Sequence, residues 1–206
     1  MARSATIIGI GLALLAMFVV AGAFAIDADP AAWEIETTRW VHRRDDAWAV
    51  LLWPIMALGS TPGGIAVTGL VWWQLGRRPG LVVGISFAAA YVTASVAKRV
   101  VERARPDAID LGEMPRQVLD TFAFPSGHSA QSFAIAVAVA LVATRWGPWR
   151  FALVPLAAIT SLARMYFGVH FLGDVLAGAV LGTGIALVVD QLVPRDTASG
   201  PPDPSG

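Results

Sequence analysis

Two histidines and a small set of cations are the side chains here with chemistry to offer. His170 precedes Asp174 by four residues, in a stretch that opens with Arg164. His128 closes Pro125-Ser126-Gly127-His128, directly ahead of an apolar run. Lys98, the only lysine in the chain, and Arg105 lie within Lys98 to Pro106. On a helix, residues four apart share a face. A carboxylate on one ring nitrogen of a histidine fixes the tautomer and leaves the other nitrogen as a nucleophile. The His170/Asp174 spacing also suits an ordinary interfacial pair, or part of a metal site for which no third ligand is evident. Arginine matches paired oxygens and lysine is a compact point charge, so Lys98, Arg105 and Arg164 together fit a phosphate. Arg99 and Arg103 read instead as boundary anchors whose heads reach for water.

The tetrapeptide at 125–128 supplies a complementary half. Ser126 suits a helix N-cap, and Gly127 lets backbone approach a ligand. Free N–H groups at a helix start, with the positive end of its dipole, form an anion site. His128 falls in the first turn, where a protonated ring can give a proton to a leaving oxygen, an effect of about 10²–10⁴ in rate. Read alone, the tetrapeptide is by default a helix cap beside a boundary histidine. Read with the other residues, it completes a phosphoryl-transfer scheme. His170 attacks phosphorus in line. Lys98, Arg105, Arg164 and the groups around Ser126 and Gly127 hold the oxygens. His128 protonates the leaving oxygen and then activates water against a phosphohistidine. Such chemistry needs mainly positioning and charge stabilisation. Asp107, Asp110 and Glu113 read as solvated loop acids rather than a cation site.

The elements that must position these groups are apolar helices. The chain has 206 residues, 56% hydrophobic and 15% charged, against about 25% charged in soluble domains. Runs 5–26, 81–97, 129–144, 151–167 and 175–193 are long and nearly uncharged, and a bilayer span takes about 20 apolar residues. This predicts an all-α, polytopic membrane bundle. A formal net charge of zero leaves no electrostatic case for nucleic acid. With no cysteine, disulfides, thiolate metal sites and thiol catalysis are excluded.

The first run, about 22 residues, exceeds the apolar core of a usual signal peptide, about 7–15. It reads as a retained span, with a cleavable leader as the alternative. Residues 27–46 predict an amphipathic helix on the outer surface, with Asp29 as N-cap, Pro30 at the first helical position and Trp33, Trp40 and Trp48 at the lipid boundary. Residues 47–76, broken by Pro54 and Gly59–Gly64, predict an interfacial helix and then a short span over 60–76. Spans over 81–99, 128–144, 151–168 and 171–193 make about six, with both termini cytoplasmic. Arg3, Arg77, Arg78, Arg145, Arg150 and Arg195 then lie inside, but Arg39, Arg43, Arg44, Lys98, Arg99, Arg103, Arg105, Arg116 and Arg164 lie outside with the three phosphate-facing stretches, so the positive-inside rule is only half obeyed. The organisation expected is 1–46 for the first span and the interfacial helix, 47–193 for the helical core and 194–206 for a disordered tail. The 100–124 loop is long enough for a lid. Gly178-x-x-x-Gly182 predicts close helix packing within the bundle.

Lys98-x₆-Arg105-Pro106, Pro125-Ser126-Gly127-His128 and Arg164-x₅-His170-x₃-Asp174 together resemble the three motifs of the type 2 phosphatidic acid phosphatase superfamily. That family shares its core with the vanadium haloperoxidases. Ala163 stands where the family carries serine, which puts fine geometry in doubt. The resemblance implies an acid phosphatase/haloperoxidase-like helical core, no metal or other cofactor, a phosphohistidine route and a site facing the outer leaflet. It implies as catalytic His170, His128 and Asp174, and as phosphate-binding Lys98, Arg105, Ser126, Gly127 and Arg164. Substrates implied are polyprenyl pyrophosphates, undecaprenyl pyrophosphate foremost, or phosphatidic acid and phosphatidylglycerol phosphate within the bilayer. A vanadate-dependent haloperoxidase and a non-catalytic lipid-binding or transport protein are the competing readings. Nothing in the sequence sets the oligomeric state.

Overall fold

A computed structural model of the chain describes residues 2–26, 28–42, 47–106 and 122–195. The acids Asp107, Asp110 and Glu113, most of the expected lid loop and most of the expected tail lie outside the described residues. The described residues form helices joined by short connections. They are α1 (Ala2–Ala25), α2 (Ala32–His42), α3 (Ala47–Ile55), α4 (Thr61–Leu75), α5 (Arg77–Val101), α6 (Gly127–Val142), α7 (Leu153–Tyr166) and α8 (Leu172–Leu192). A 3₁₀ turn, Met56–Gly59, joins α3 to α4, and a second 3₁₀ stretch, Thr144–Phe151, precedes α7.

Among the described residues, three helices are long and apolar enough to cross a membrane: α1, α5 and α8. A fourth crossing arises if α3 and α4, bent by 60° at their junction, count as one broken span. The apolar runs suggested about six. α6 and α7, at 16 and 14 residues, are shorter than expected; α6 rises only about 24 Å, against about 30 Å of hydrocarbon.

α6 is the central post of the bundle. Its small residues Ala130, Ala134, Ala136 and Ala138 are fully buried, so neighbouring helices come close on several sides. α8 packs on it through the predicted glycine pair. A Cβ at Gly178 would lie 2.5 Å from the Ser126 carbonyl oxygen, and one at Gly182 would collide with the carbonyl of Ala130. The contact is therefore intramolecular, backbone against backbone. It holds the first turn of α6 to the first half of α8. Phe18 of α1 stacks on Phe124, just ahead of α6, with ring centroids 6.0 Å apart.

α2 starts later than its sequence predicts, at Ala32 rather than Pro30. The N-terminal acid that serves it is Glu34, whose Oε2 accepts from the Ala31 N–H at 3.2 Å. Trp33 and Trp40 are exposed, while Glu34 and Thr38 are buried. The helix thus turns its polar side inward and its large aromatics outward, as an element at a lipid boundary does.

Candidate active site

The site is built where four chain segments end on one side of the bundle. α5 ends at Val101, and burial then alternates along the outgoing chain: Glu102 exposed, Arg103 buried, Ala104 exposed, Arg105 buried. Pro106 bars a helical conformation at the residue before it. The alternation puts Arg103 and Arg105 on the same inward side. Lys98, in the last turn of α5, donates from Nζ to the Phe122 carbonyl at 2.6 Å. Arg105 donates to the Val169 carbonyl at 2.7 Å. Arg164, in the last turn of α7, points a guanidinium nitrogen at Met56 Sδ, 3.8 Å away.

Ser126 caps α6 as its type predicts. Its Oγ accepts from the Ser129 N–H at 3.4 Å and lies 3.1 Å from the Ser129 hydroxyl, and its own N–H donates to the Asp174 carbonyl at 2.9 Å. These bonds spend the side chain on the helix start, fully buried. Ser126 is not among the residues that line the cavity described next. Gly127 and His128, the first helical residues, do line it.

A cavity of about 790 Å³ opens between these ends, within the range of ordinary ligand sites. Lys98, Arg105, Gly127, His128, Arg164 and His170 all line it. Gly59 to Pro62 form part of the opposite wall. A Cβ on Gly59 would lie 2.7 Å from the His128 carbonyl oxygen, so the turn before α4 rests directly on the backbone of His128.

His170 is 2% exposed and sits in the short connection between α7 and α8. Asp174 is in the first turn of α8, fully buried behind it. The expectation that both ride one helix is therefore corrected: only Asp174 is helical. Asp174 Oδ2 accepts from the Phe171 N–H at 2.8 Å, capping α8, and stands 3.6 Å from His170 Nδ1. That separation is beyond hydrogen-bond length. Nδ1 has no hydrogen-bond partner, and the other ring nitrogen remains for the cavity. Burial pushes the His170 pKa well below its ordinary value, and the positive charges of Arg164, Lys98, Arg105 and His128 act the same way. Both effects favour the neutral ring.

Residues 79–198 match the PAP2 superfamily. The chain belongs to that family. It is 31% identical over 117 residues to the undecaprenyl-diphosphatase of Sulfolobus acidocaldarius, covering 56% of each chain. It is 33% identical over 133 residues to the decaprenylphosphoryl-5-phosphoribose phosphatase of Mycobacterium tuberculosis, covering 62% of this chain and 69% of that one. The matched stretch thus spans little more than half of the archaeal relative. In fold, the chain is similar to the crystal structure of a transmembrane PAP2-type phosphatidylglycerolphosphate phosphatase from Bacillus subtilis, with a TM-score of 0.72 and 22% identity, covering 87% of this chain and 93% of that one.

Where this chain departs from the PAP2 motif, Ala163 is fully buried in an apolar cluster with Met56, Tyr166 and Phe167. Sequence reasoning missed three other residues near the site. Arg103, taken for a snorkelling anchor, is 8% exposed and binds two carboxylates: Asp174 Oδ1 at 2.8 Å and Glu34 Oε2 at 2.6 Å. A membrane-boundary arginine reaches outward only when nothing inside pairs with it, and here two acids do. The alternation in Arg103-Ala104-Arg105-Pro106 was the signal that could have found it. Glu34 had none, because its partners lie about 70 and 140 residues away in sequence. Gln131, one turn past Gly127 on α6, lines the cavity with a buried Oε1 that has no partner.

Proposed function

We propose that this protein is an integral membrane lipid phosphatase that hydrolyses a phosphate monoester or pyrophosphate on a lipid through a phosphohistidine. The observation that carries the proposal is the convergence of Lys98, Arg105, Gly127, His128, Arg164 and His170 on one cavity. They come from segments up to 72 residues apart in sequence and agree with the three motifs of the family. The family's named relatives, which include an undecaprenyl-diphosphatase and a phosphatidylglycerophosphatase B, support the substrate class. Undecaprenyl pyrophosphate is the favoured substrate, with phosphatidic acid and phosphatidylglycerol phosphate next.

The chemistry follows from the geometry. The ring nitrogen of His170 not turned to Asp174 attacks phosphorus, and the P–O bond to the lipid breaks. Lys98, Arg105 and Arg164 neutralise the phosphoryl oxygens, with the N–H groups at the start of α6. His128 gives its proton to the departing oxygen. It then takes a proton from the water that cleaves the P–N bond, releasing phosphate and restoring His170. Positive charges held before the reaction stabilise the transition state without reorganising. In the six-crossing arrangement proposed here, α6 and α7 also cross, both termini are cytoplasmic and the cavity faces outward. The exposed Trp33 and Trp40 of α2 would then sit at the outer boundary.

The test is phosphate release from a panel of lipid phosphates by purified protein in detergent, with chelator present. Wild type turns over in chelator, and His170→Ala loses activity almost completely. Full activity in His170→Ala, or dependence on added Mg²⁺, overturns the mechanism. A reporter fused after residue 206 should read cytoplasmic; a reading from the outer side overturns the arrangement of spans.

A further inference from the structure

α2 lies outside the stretch that matches the family, yet it grips the His170 segment from both sides. Upstream, His42 at the end of α2 donates from Nδ1 to the Tyr166 carbonyl at 2.8 Å. Downstream, Glu34 in the first turn of α2 accepts the Gly173 N–H at 3.0 Å. His170 lies between these two anchor points. Glu34 also accepts from Arg103, which in turn holds Asp174. The four side chains Glu34, Arg103, Asp174 and His170 are all less than 10% exposed.

We propose that α2 is a brace for the nucleophile, with Glu34 as its principal positioning residue. Glu34 acts through Arg103 and the Gly173 backbone, and touches no substrate. Asp174 has only two side-chain oxygens. One is committed to the Phe171 N–H and the other to Arg103. The direction in which Asp174 faces His170 is therefore set by where Arg103 is held, and Glu34 holds the other half of that guanidinium. A lysine at 103 keeps the charge but cannot bridge two carboxylates as a planar fork does.

This inference rests on the phosphohistidine reading of His170, and its test separates the two. Initial rates are measured on dioctanoyl phosphatidic acid in detergent micelles, with thermal melting alongside. Glu34→Gln, nearly equal in volume, is expected to lower kcat by about tenfold to a hundredfold, the scale of a small misplacement of reacting groups, with KM within about twofold, the mark of lost positioning rather than lost binding. In an Arg103→Lys background, Glu34→Gln should cost little more, because residues acting as one unit are non-additive. A purely structural role predicts a lower melting temperature with kcat unchanged, and that result overturns the proposal. Full additivity of the two substitutions overturns it as well. Should Glu34→Gln fail to fold, His42→Phe at the half-buried far end of α2 decides: kcat falls about threefold or more on the same scale of misplacement, or the brace is refuted. If His170→Ala keeps activity, the mechanism itself has failed. If His170→Ala is dead while Glu34→Gln and His42→Phe are both normal, only the brace has.

Discussion

Asp174 Oδ2 stands 3.6 Å from His170 Nδ1, close enough to feel its charge and too far to accept its proton. The same oxygen is bonded to the Phe171 N–H. The carboxylate is thus aligned with the ring while its hydrogen bond goes to the backbone.

The pH dependence follows from what surrounds His170. Arg164, Lys98, Arg105 and His128 face it with positive charge, and Asp174 is its one close acid. Its pKa lies below the ordinary 6.5. The reaction needs the neutral ring, so activity is lost as pH falls through the folded value, and the acid limb of kcat/KM should lie below 6.5. A bound dianion offsets the cations, so the same limb in kcat should sit at higher pH. Stability carries the same sign: as pH falls below 6.5 the unfolded chain takes up a proton that folded His170 refuses, and stability drops. Profiles of kcat/KM and melting temperature against pH, for wild type and His170→Gln, check both. A limb clearly above 6.5 in kcat/KM contradicts the assignment.

Gly59→Ala should damage catalysis more than folding. The new Cβ would lie 2.7 Å from the His128 carbonyl and 3.0 Å from Thr160 Cγ2, so one of them must shift. Displacing the first turn of α6 moves His128, the candidate acid, whose full contribution is about 10²–10⁴. A kcat reduced about tenfold, on substrates with poor leaving groups most of all, is the expected outcome. Equal losses on good and poor leaving groups would locate the damage elsewhere.

Gly182→Ala should act on stability. Its Cβ would collide with the Ala130 carbonyl, and neither backbone can yield without parting α6 from α8. Overpacking of this kind costs about 1–3 kcal/mol. Melting in detergent measures it, and an unchanged transition would mean that the two helices are less closely apposed than described.

Gln131→Met separates folding from binding. It replaces a buried, unpartnered carboxamide oxygen with an apolar group of similar size. An unsatisfied buried polar group costs about 1–3 kcal/mol, so the free protein should be as stable as wild type or more so. If the carboxamide meets the substrate, KM should rise several-fold at the same time. An unchanged KM would assign the wall at Gln131 no part in recognition.

Much of the site was legible in the sequence because its signals are local. Ser126 caps α6 within three residues, Pro106 sets the conformation just before it, and Gly178 and Gly182 recur at one helical turn. Long, nearly uncharged runs declare apolar helices by composition alone. Lys98, Arg105, His128, Arg164 and His170 could be named as a set because each carries a type and spacing that fits phosphate. The number of crossings was less legible. An apolar run does not say where its helix ends, and α6 and α7 are only 16 and 14 residues long.

What the amino-acid order determined by itself was the inventory: apolar helices, a capped helix start, and the cations and histidines at their ends. Tertiary structure alone decided how those groups are held. It turned Arg103 inward because Glu34 and Asp174 meet it there. It left His170 outside the helix that holds Asp174, and placed α2 across the loop that carries it. The physical reason is that capping, helix periodicity and hydropathy act between near neighbours. A buried ion pair forms only where distant segments exclude water together, and no pattern within Trp33-Glu34-Ile35 records the arginine that Glu34 will meet.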